Sequence, residues 1–401
     1  MPMLGCTRTN KGERRRAALL VAVLSRQQTL FGVLAFVFFL APLFAQEAIT
    51  DDLLKSATLS QQRGDYQAAI ADYRKLLQLQ PGKVEAKVNL GAALVQLGQY
   101  DEAIALYKSA LTQVSEKAPV QLNLGLAFYK KGDFSDAREQ FLALHNQEPT
   151  ALRVALLLAD TDLNLGKSAE AVKILQPLDA ENGENFDFQY AYGTALIEAG
   201  RAADGVVRLE KIAASNHSAD AYFLAGQTRL RMENVSEARS DLEAALRLNS
   251  QLPNIYTLVG IARDKNNDPE NAEPMFRQAV QQNADDFTAN LYLGTILLKR
   301  RDLGTAKTYL DHALKLKPED QLARYEFAML ESVMGYYRLA VPQLESLTRE
   351  NPQWLDPHVE LAALYYKLGR KVDGERERAT IQRIMKNQQL RLRNQPFAQG
   401  K

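Results

Sequence analysis

Residues 84–117 read VEAKVNLGAALVQLGQYDEAIALYKSALTQVSEK, and this stretch decides the fold. Its first half, Val84–Leu97, places apolar side chains at Val88, Leu90, Ala93, Leu94 and Leu97 around Gly91. Its second half, Asp101–Gln113, places them at Ala103, Ile104, Tyr107, Ala110 and Leu111. Both spacings are helical rather than alternating, so the stretch predicts two amphipathic helices. Between them stands Gly98, a residue type that relieves the left-handed backbone at a helix end.

The pattern returns every 34 residues. The small residue at the centre of the first helix falls at Ala57, Gly91, Gly125, Ala159, Gly193, Gly226, Gly260, Gly294, Ala328 and Ala362, with one step of 33 between Gly193 and Gly226. A second small residue follows 12 places later, at Ala69, Ala103, Ala137, Ala171, Gly205, Ala238, Ala272, Ala306, Ala340 and Gly374. Four places further on stands a bulky side chain, as in Tyr73, Tyr107, Phe141, Leu175, Phe276 and Leu310. Two helices cross closely only where one of them carries little side chain, so the register predicts helix pairs packed at these points. A fixed period of this length marks a solenoid of stacked pairs. The turn glycine recurs at Gly64, Gly132, Gly166, Gly200, Gly335 and Gly369, whereas Glu233, Asn267 and Arg301 hold its place in three units. Asparagine tolerates the left-handed region; glutamate and arginine do so less readily, which leaves the closure of their turns open. Prolines at 81, 149, 318 and 352 close several units by ending a helix.

Leu90–Gly91, Gly98–Gln99–Tyr100, Ala103 and Tyr107 resemble the signature of the tetratricopeptide repeat, as do Leu124–Gly125, Gly132–Asp133–Phe134, Ala137, Phe141 and Pro149. Ten units cover about residues 50–383. The resemblance implies an all-α fold, an alpha–alpha superhelix whose first helices line a concave face and whose second helices lie outside. The expected division is a leader over 1–45, a solenoid over 46–370, a capping helix over 371–393 and a disordered tail over 394–401. Thr50, followed by Asp51 and Asp52, is the expected cap of the first helix. In the capping helix Ile381, Ile384, Met385 and Leu390 are expected to pack on the last repeat beneath a basic outer surface.

Six of the 49 basic residues and one of the 48 acidic ones lie in residues 1–45, so the remainder carries 43 basic against 47 acidic side chains. That balance does not point to nucleic acid. Residues 30–45 are uncharged and apolar behind a basic flank and end on Ala45, which resembles a secretory signal peptide cleaved after Ala45. The alternative is an uncleaved anchor, with membrane association through residues 30–45. Either reading places the repeats outside the cytoplasm, periplasmic or secreted in the first case and held at the inner membrane in the second. The single cysteine, Cys6, precedes the apolar run, so the repeats contain no thiol for a disulfide, a nucleophile or a metal.

Family geometry implies which positions face a partner. In the first helices the fifth position includes Tyr190 and Tyr325, and the thirteenth includes Lys130, Arg231, Lys265, Lys299 and Lys367, with Tyr129 and Tyr366 beside two of the lysines. A broken basic ladder with tyrosine neighbours suits a protein or peptide bearing acidic groups. Asn89 and Asn123 match the asparagine of the family's carboxylate clamp, but Val88 stands where its lysine belongs, so that clamp is not expected. The four histidines, His145, His217, His312 and His358, fall at unrelated register positions, and no pair has metal spacing. No glycine-rich phosphate loop and no nucleophile elbow occurs. The expected function is therefore non-catalytic and without cofactor: an envelope scaffold that holds a partner segment in its groove, or a structural accessory of a periplasmic secretion, polysaccharide or pilus machine that works through its outer surface.

Overall fold

The computed structural model describes residues 46–394, which form helices and no strands. The expectations for the leader over 1–45 and for the tail beyond Asn394 lie outside the described residues. Between Glu181 and Asn182 the chain divides into two compact units. The first holds α1 (46–62), α2 (Tyr66–Leu79), α3 (Val84–Gln96), α4 (Tyr100–Leu111), α5 (Ala118–Lys131), α6 (Phe134–Gln147), α7 (Leu152–Asn164) and α8 (Ser168–Leu175). A 3-10 turn, Gln176–Leu178, follows α8. Pro177 stands in that turn, and α8 has only eight residues where the other second helices of this unit have 12 or 14. Proline offers no amide hydrogen to continue an α-helix.

The second unit holds α9 (Phe186–Glu198), α10 (Ala202–Asn216), α11 (Ala219–Arg231), α12 (Val235–Leu248), α13 (Ile255–Lys265), α14 (Pro269–Gln282), α15 (Phe287–Lys299) and α16 (Leu303–Leu316). It ends with α17 (Gln321–Val333), α18 (Tyr337–Glu350), α19 (Leu355–Lys367) and α20 (Lys371–Asn394). Within each unit, second helices such as α4, α6, α12 and α16 pack on their own first helix and on the first helix that follows. Successive first helices also touch: α3 meets α5, and α11, α13, α15, α17 and α19 form a chain of neighbours. The first helices therefore occupy the inner side of each stack.

The small-residue register is buried at these crossings. A Cβ built on Gly91 would lie 2.7 Å from the Tyr107 ring, one on Gly125 would lie 2.5 Å from the Phe141 ring, and one on Gly260 would lie 2.6 Å from the Phe276 ring. Leucine takes the same place over Gly226 and Gly294, where Leu242 and Leu310 would be met at 2.7 Å. In each case the bulky residue is the one four places beyond the small residue of the second helix. At Gly193 the two glycine registers coincide, since a Cβ on Gly205 would lie 2.5 Å from the Gly193 carbonyl oxygen. Here backbone meets backbone.

Glu233, Asn267 and Arg301 take the left-handed conformation of the glycines they replace, with φ of 60°, 60° and 67°. The hydrogen bonds are unchanged. Gln99 N–H reaches the Leu94 carbonyl at 2.9 Å across Gly98, and Asp302 N–H reaches the Leu297 carbonyl at 3.0 Å across Arg301. The closure is thus fixed by the helix end rather than by glycine, and the side chain bears the strain.

Two expectations at the ends are corrected. Thr50 is not a cap, because the helix is already formed at residue 46; Thr50 is buried, donates to the Glu47 carbonyl at 2.9 Å and accepts from Gln80 at 3.1 Å. At the other end α20 is the second helix of the tenth pair, prolonged to 24 residues. Ile384 is buried against the pair, but Met385 and Leu390 are 47% and 46% exposed and do not pack on it.

A left-handed conformation costs an ordinary side chain about 1–2 kcal/mol, part of which glycine returns through its freer unfolded chain. Arg301→Gly is therefore expected to stabilise the second unit by about 0.5–1 kcal/mol. Thermal or urea denaturation checks this, and an unchanged or lower midpoint contradicts it.

Candidate functional site

The inner side of each stack carries the side chains expected to meet a partner. In the first unit Tyr129, on α5, donates its hydroxyl to Asp160 on α7, and Asn164 donates to the same hydroxyl at 3.4 Å. Burial and the Asp160 carboxylate push the Tyr129 hydroxyl up to about 12. Lys130 is exposed beside it. Further along the same side, Asn89 lines a hollow with Thr58, Gln61, Gln62 and Gln96, none of them charged. A carboxylate clamp has no cation there.

In the second unit the basic residues are spread over several first helices, and their surroundings differ. Arg231 is exposed at the end of α11, and its guanidinium lies 3.5 Å from the Thr228 hydroxyl. Lys265 forms an ion pair with Glu233 at 3.1 Å, across the turn of the preceding pair. Lys299 is exposed and faces Glu326 of α17. Lys367 sits 5.0 Å from the centre of the Tyr337 ring. The tyrosines divide likewise. Tyr190 is stacked on Phe186 with ring centroids 6.1 Å apart. Tyr325 meets Trp354, whereas Tyr366 donates to Glu375 at 2.5 Å and covers Gly374 of α20. The structure therefore brings Lys299 and Tyr325 into one neighbourhood, through Glu326. It leaves Lys367 and Tyr366 engaged with second helices.

The spacing of basic residues does not disclose the carboxylates between them. Asp264 acts on Tyr292, Asp220 on Tyr190, and Glu326, Asp356 and Glu360 together on Tyr325. Each of these tyrosine hydroxyls is raised first by burial and then by the neighbouring acids. The inner face of this unit is thus mixed in charge rather than a plain basic ladder. Nothing in the sequence marks Glu326, because its register position holds Lys55, Asn89, Asn123 and Glu360 in some units and Leu157, Leu224 and Leu258 in others. Among the described residues no group of three or more histidine, cysteine or acidic side chains is placed to hold a metal ion. No helix among them is long and apolar enough to cross a membrane.

Burial raises the Glu326 carboxyl above its ordinary value, against the pull of Lys299 and the Thr295 hydroxyl, and Asp356 adds to the rise. The folded state then binds this proton more tightly than the unfolded chain does. The associated stability is present below the unfolded value and is lost as pH rises through the raised folded one. Glu326→Gln, which does not ionise, is expected to melt above the parent at about pH 7, the two converging towards about pH 4. Melting curves over that range check it; a variant that melts lower at neutral pH contradicts it.

Comparison with known proteins adds the following. Tetratricopeptide repeat models match residues 61–114, 94–160 and 129–195, residues 257–321, and residues 219–252, together more than half of the chain. Anaphase-promoting complex subunit 3 of Schizosaccharomyces pombe is 23% identical over 151 residues, which are 38% of this chain and 23% of that protein. The match thus spans about a quarter of that relative's length. Among solved structures, a tetratricopeptide repeat protein from Parabacteroides merdae is 16% identical with a TM-score of 0.49, covering 61% of this chain and 98% of its own. YrrB, a repeat protein with an unusual peptide-binding site, is 19% identical with a TM-score of 0.40, covering 48% of this chain and 97% of its own.

Proposed function

Because the chain belongs to the tetratricopeptide repeat family, we propose that it is a non-catalytic scaffold of the cell envelope that holds a segment of a partner protein against its first helices. One observation carries the reading. In the second unit the first helices from α11 to α19 each touch the next, and tyrosine and charged side chains of neighbouring first helices act on one another. Such a surface suits an extended segment or a helix: the rings give rigid apolar contact at low entropic cost, and the charges set register and orientation. Lys299 has no ion-pair partner among the described residues, whereas Lys265 is paired with Glu233. Lys299 is therefore the stronger anchor for an acidic group of the partner.

The placement in the envelope rests on the apolar run at residues 30–45 behind its basic flank. Mass spectrometry of the protein recovered from cells bears on it: an amino terminus at Gln46 supports export with cleavage, and a retained leader supports the anchored form. A second reading, a structural accessory of a secretion, polysaccharide or pilus machine, draws on the second helices. Val207 of α10 and Leu339 of α18 are apolar side chains largely open to water on that outer surface.

Crosslinking in intact cells separates the two. Charge reversal of Lys299 with Lys265 is expected to weaken capture of the crosslinked partner about tenfold, since two charged contacts of about 0.5–1 kcal/mol each are lost and become repulsive. Unchanged capture, with an unchanged melting midpoint, would instead support the outer surface, and Val207→Asp or Leu339→Asp would then abolish it.

A further inference from the structure

Near the carboxyl-terminal end of the second unit, the inner face contains an aromatic corner ringed by acids. Tyr325 of α17 and Trp354, just ahead of α19, place their ring centroids 5.1 Å apart at 49°. Glu326 adjoins Tyr325 on the same helix. Asp356 stands in the first turn of α19, with one oxygen 3.4 Å from the Trp354 ring nitrogen. Glu360 follows one turn later and accepts from the Ser332 hydroxyl of α17. All three carboxylates act on the Tyr325 hydroxyl. The opposing charge is Lys299, which acts on Glu326 without forming an ion pair with it.

Elsewhere in this unit the chain supplies a cation to its own rings. Lys317 lies 4.4 Å from the Phe287 centroid, Arg370 lies 4.2 Å from that of Tyr365, and Lys307 lies 5.5 Å from that of Phe327. Among the described residues no cation lies over Tyr325 or Trp354, although three carboxylates act on Tyr325. The face of an aromatic ring attracts a cation, and a carboxylate strengthens the hydrogen bonds a cation donates. A planar guanidinium is able to do both at once, lying on one ring while its N–H groups reach carboxylates at the edge. Glu326 adds to the case: it is a partly buried carboxylate without an ion pair, an arrangement that costs stability and is relieved when a cation arrives.

We propose that the corner formed by Tyr325, Trp354, Glu326, Asp356 and Glu360 receives an arginine side chain of the partner segment. The proposal rests on the reading of the first helices as the binding side, and it gives the partner a defined chemistry. The segment carries a basic residue for this corner and an acidic one for Lys299, so it is mixed in charge rather than uniformly acidic.

Trp354 is the only tryptophan of the chain, so emission excited selectively from tryptophan, and not from the tyrosines, reports on this corner. The probe is a capped glycine pentapeptide carrying two arginines, titrated into the full chain beside the same peptide with two glutamates. A saturable change in Trp354 emission with the arginine peptide, weakened by added salt and absent with the glutamate peptide, is expected. Asp356→Asn with Glu360→Gln keeps the shapes and is expected to weaken binding about tenfold. Tyr325→Leu, which keeps an apolar filling, is expected to do the same. No saturable change, an equal response to the glutamate peptide, or full binding by both variants overturns the proposal. If the arginine peptide fails while reversal of Lys299 with Lys265 still weakens partner capture in cells, the groove reading stands and this inference alone falls.

Discussion

A bulky side chain of the second helix presses on a small residue of the first, and this contact recurs along both units. Tyr107 lies on Gly91, Phe141 on Gly125, Phe276 on Gly260 and Leu310 on Gly294, all within a distance that a methyl group would invade. The glycines give up helix propensity, about 1 kcal/mol each relative to alanine, in exchange for close approach. What they gain is burial of a whole ring, since Tyr107, Phe141 and Phe276 are shielded from water. A helix pair is amphipathic on more than one side and cannot hide its apolar surface alone. Close crossing within a pair leaves its remaining apolar surface flat enough to stack on the next pair.

Polar side chains fix the spacing between pairs. Arg229 of α11 reaches Glu210 of the preceding second helix and Asp241 of its own, both at 2.5 Å, and Arg263 repeats the motif with Glu243 at 2.9 Å. Burial nevertheless holds the Asp241 carboxyl above its ordinary value in spite of Arg229. Such bridges contribute orientation rather than much free energy, because desolvation offsets their attraction. The stack therefore presents its first helices in a set relation, and the candidate binding surface inherits that order. Tyr325, Glu326, Asp356 and Glu360 come from two helices that meet only because the small-residue crossings hold each pair together.

The steric part of this structure was legible in the sequence. The register from Ala57 to Ala362 needs no partner knowledge, because a missing side chain shows in the sequence itself. Turn closure at Glu233 and Arg301 was not legible, since the left-handed conformation there is imposed by the preceding helix and not favoured by the residue. Thr50 misled for a related reason: a threonine followed by two aspartates has the composition of a cap whether or not a helix precedes it. The charge pattern of the inner face was hidden more deeply. Lys265 and Glu233 are 32 residues apart, and Trp354 and Asp356 come to Tyr325 from the next repeat; spacing along one helix does not show what the next helix sets against it. Lys367 and Tyr366, at groove positions by register, meet Tyr337 and Glu375 of second helices, which their register does not show.

The size rule at the crossings has a direct test in the pair Gly125 and Phe141. Alanine with leucine already stands at the matching places in Ala159 and Leu175, both fully buried. Gly125→Ala alone places a methyl against the Phe141 ring and should lower stability by about 1–3 kcal/mol. Adding Phe141→Leu should recover a large part of that loss, so that the double variant is more stable than the sum of the two single changes allows. Urea denaturation of the four proteins measures it. A coupling of at least about 1 kcal/mol in that direction is the expected result. A harmless Gly125→Ala, or two effects that simply add, would show that these helices are not held apart or together by the volume at their crossing.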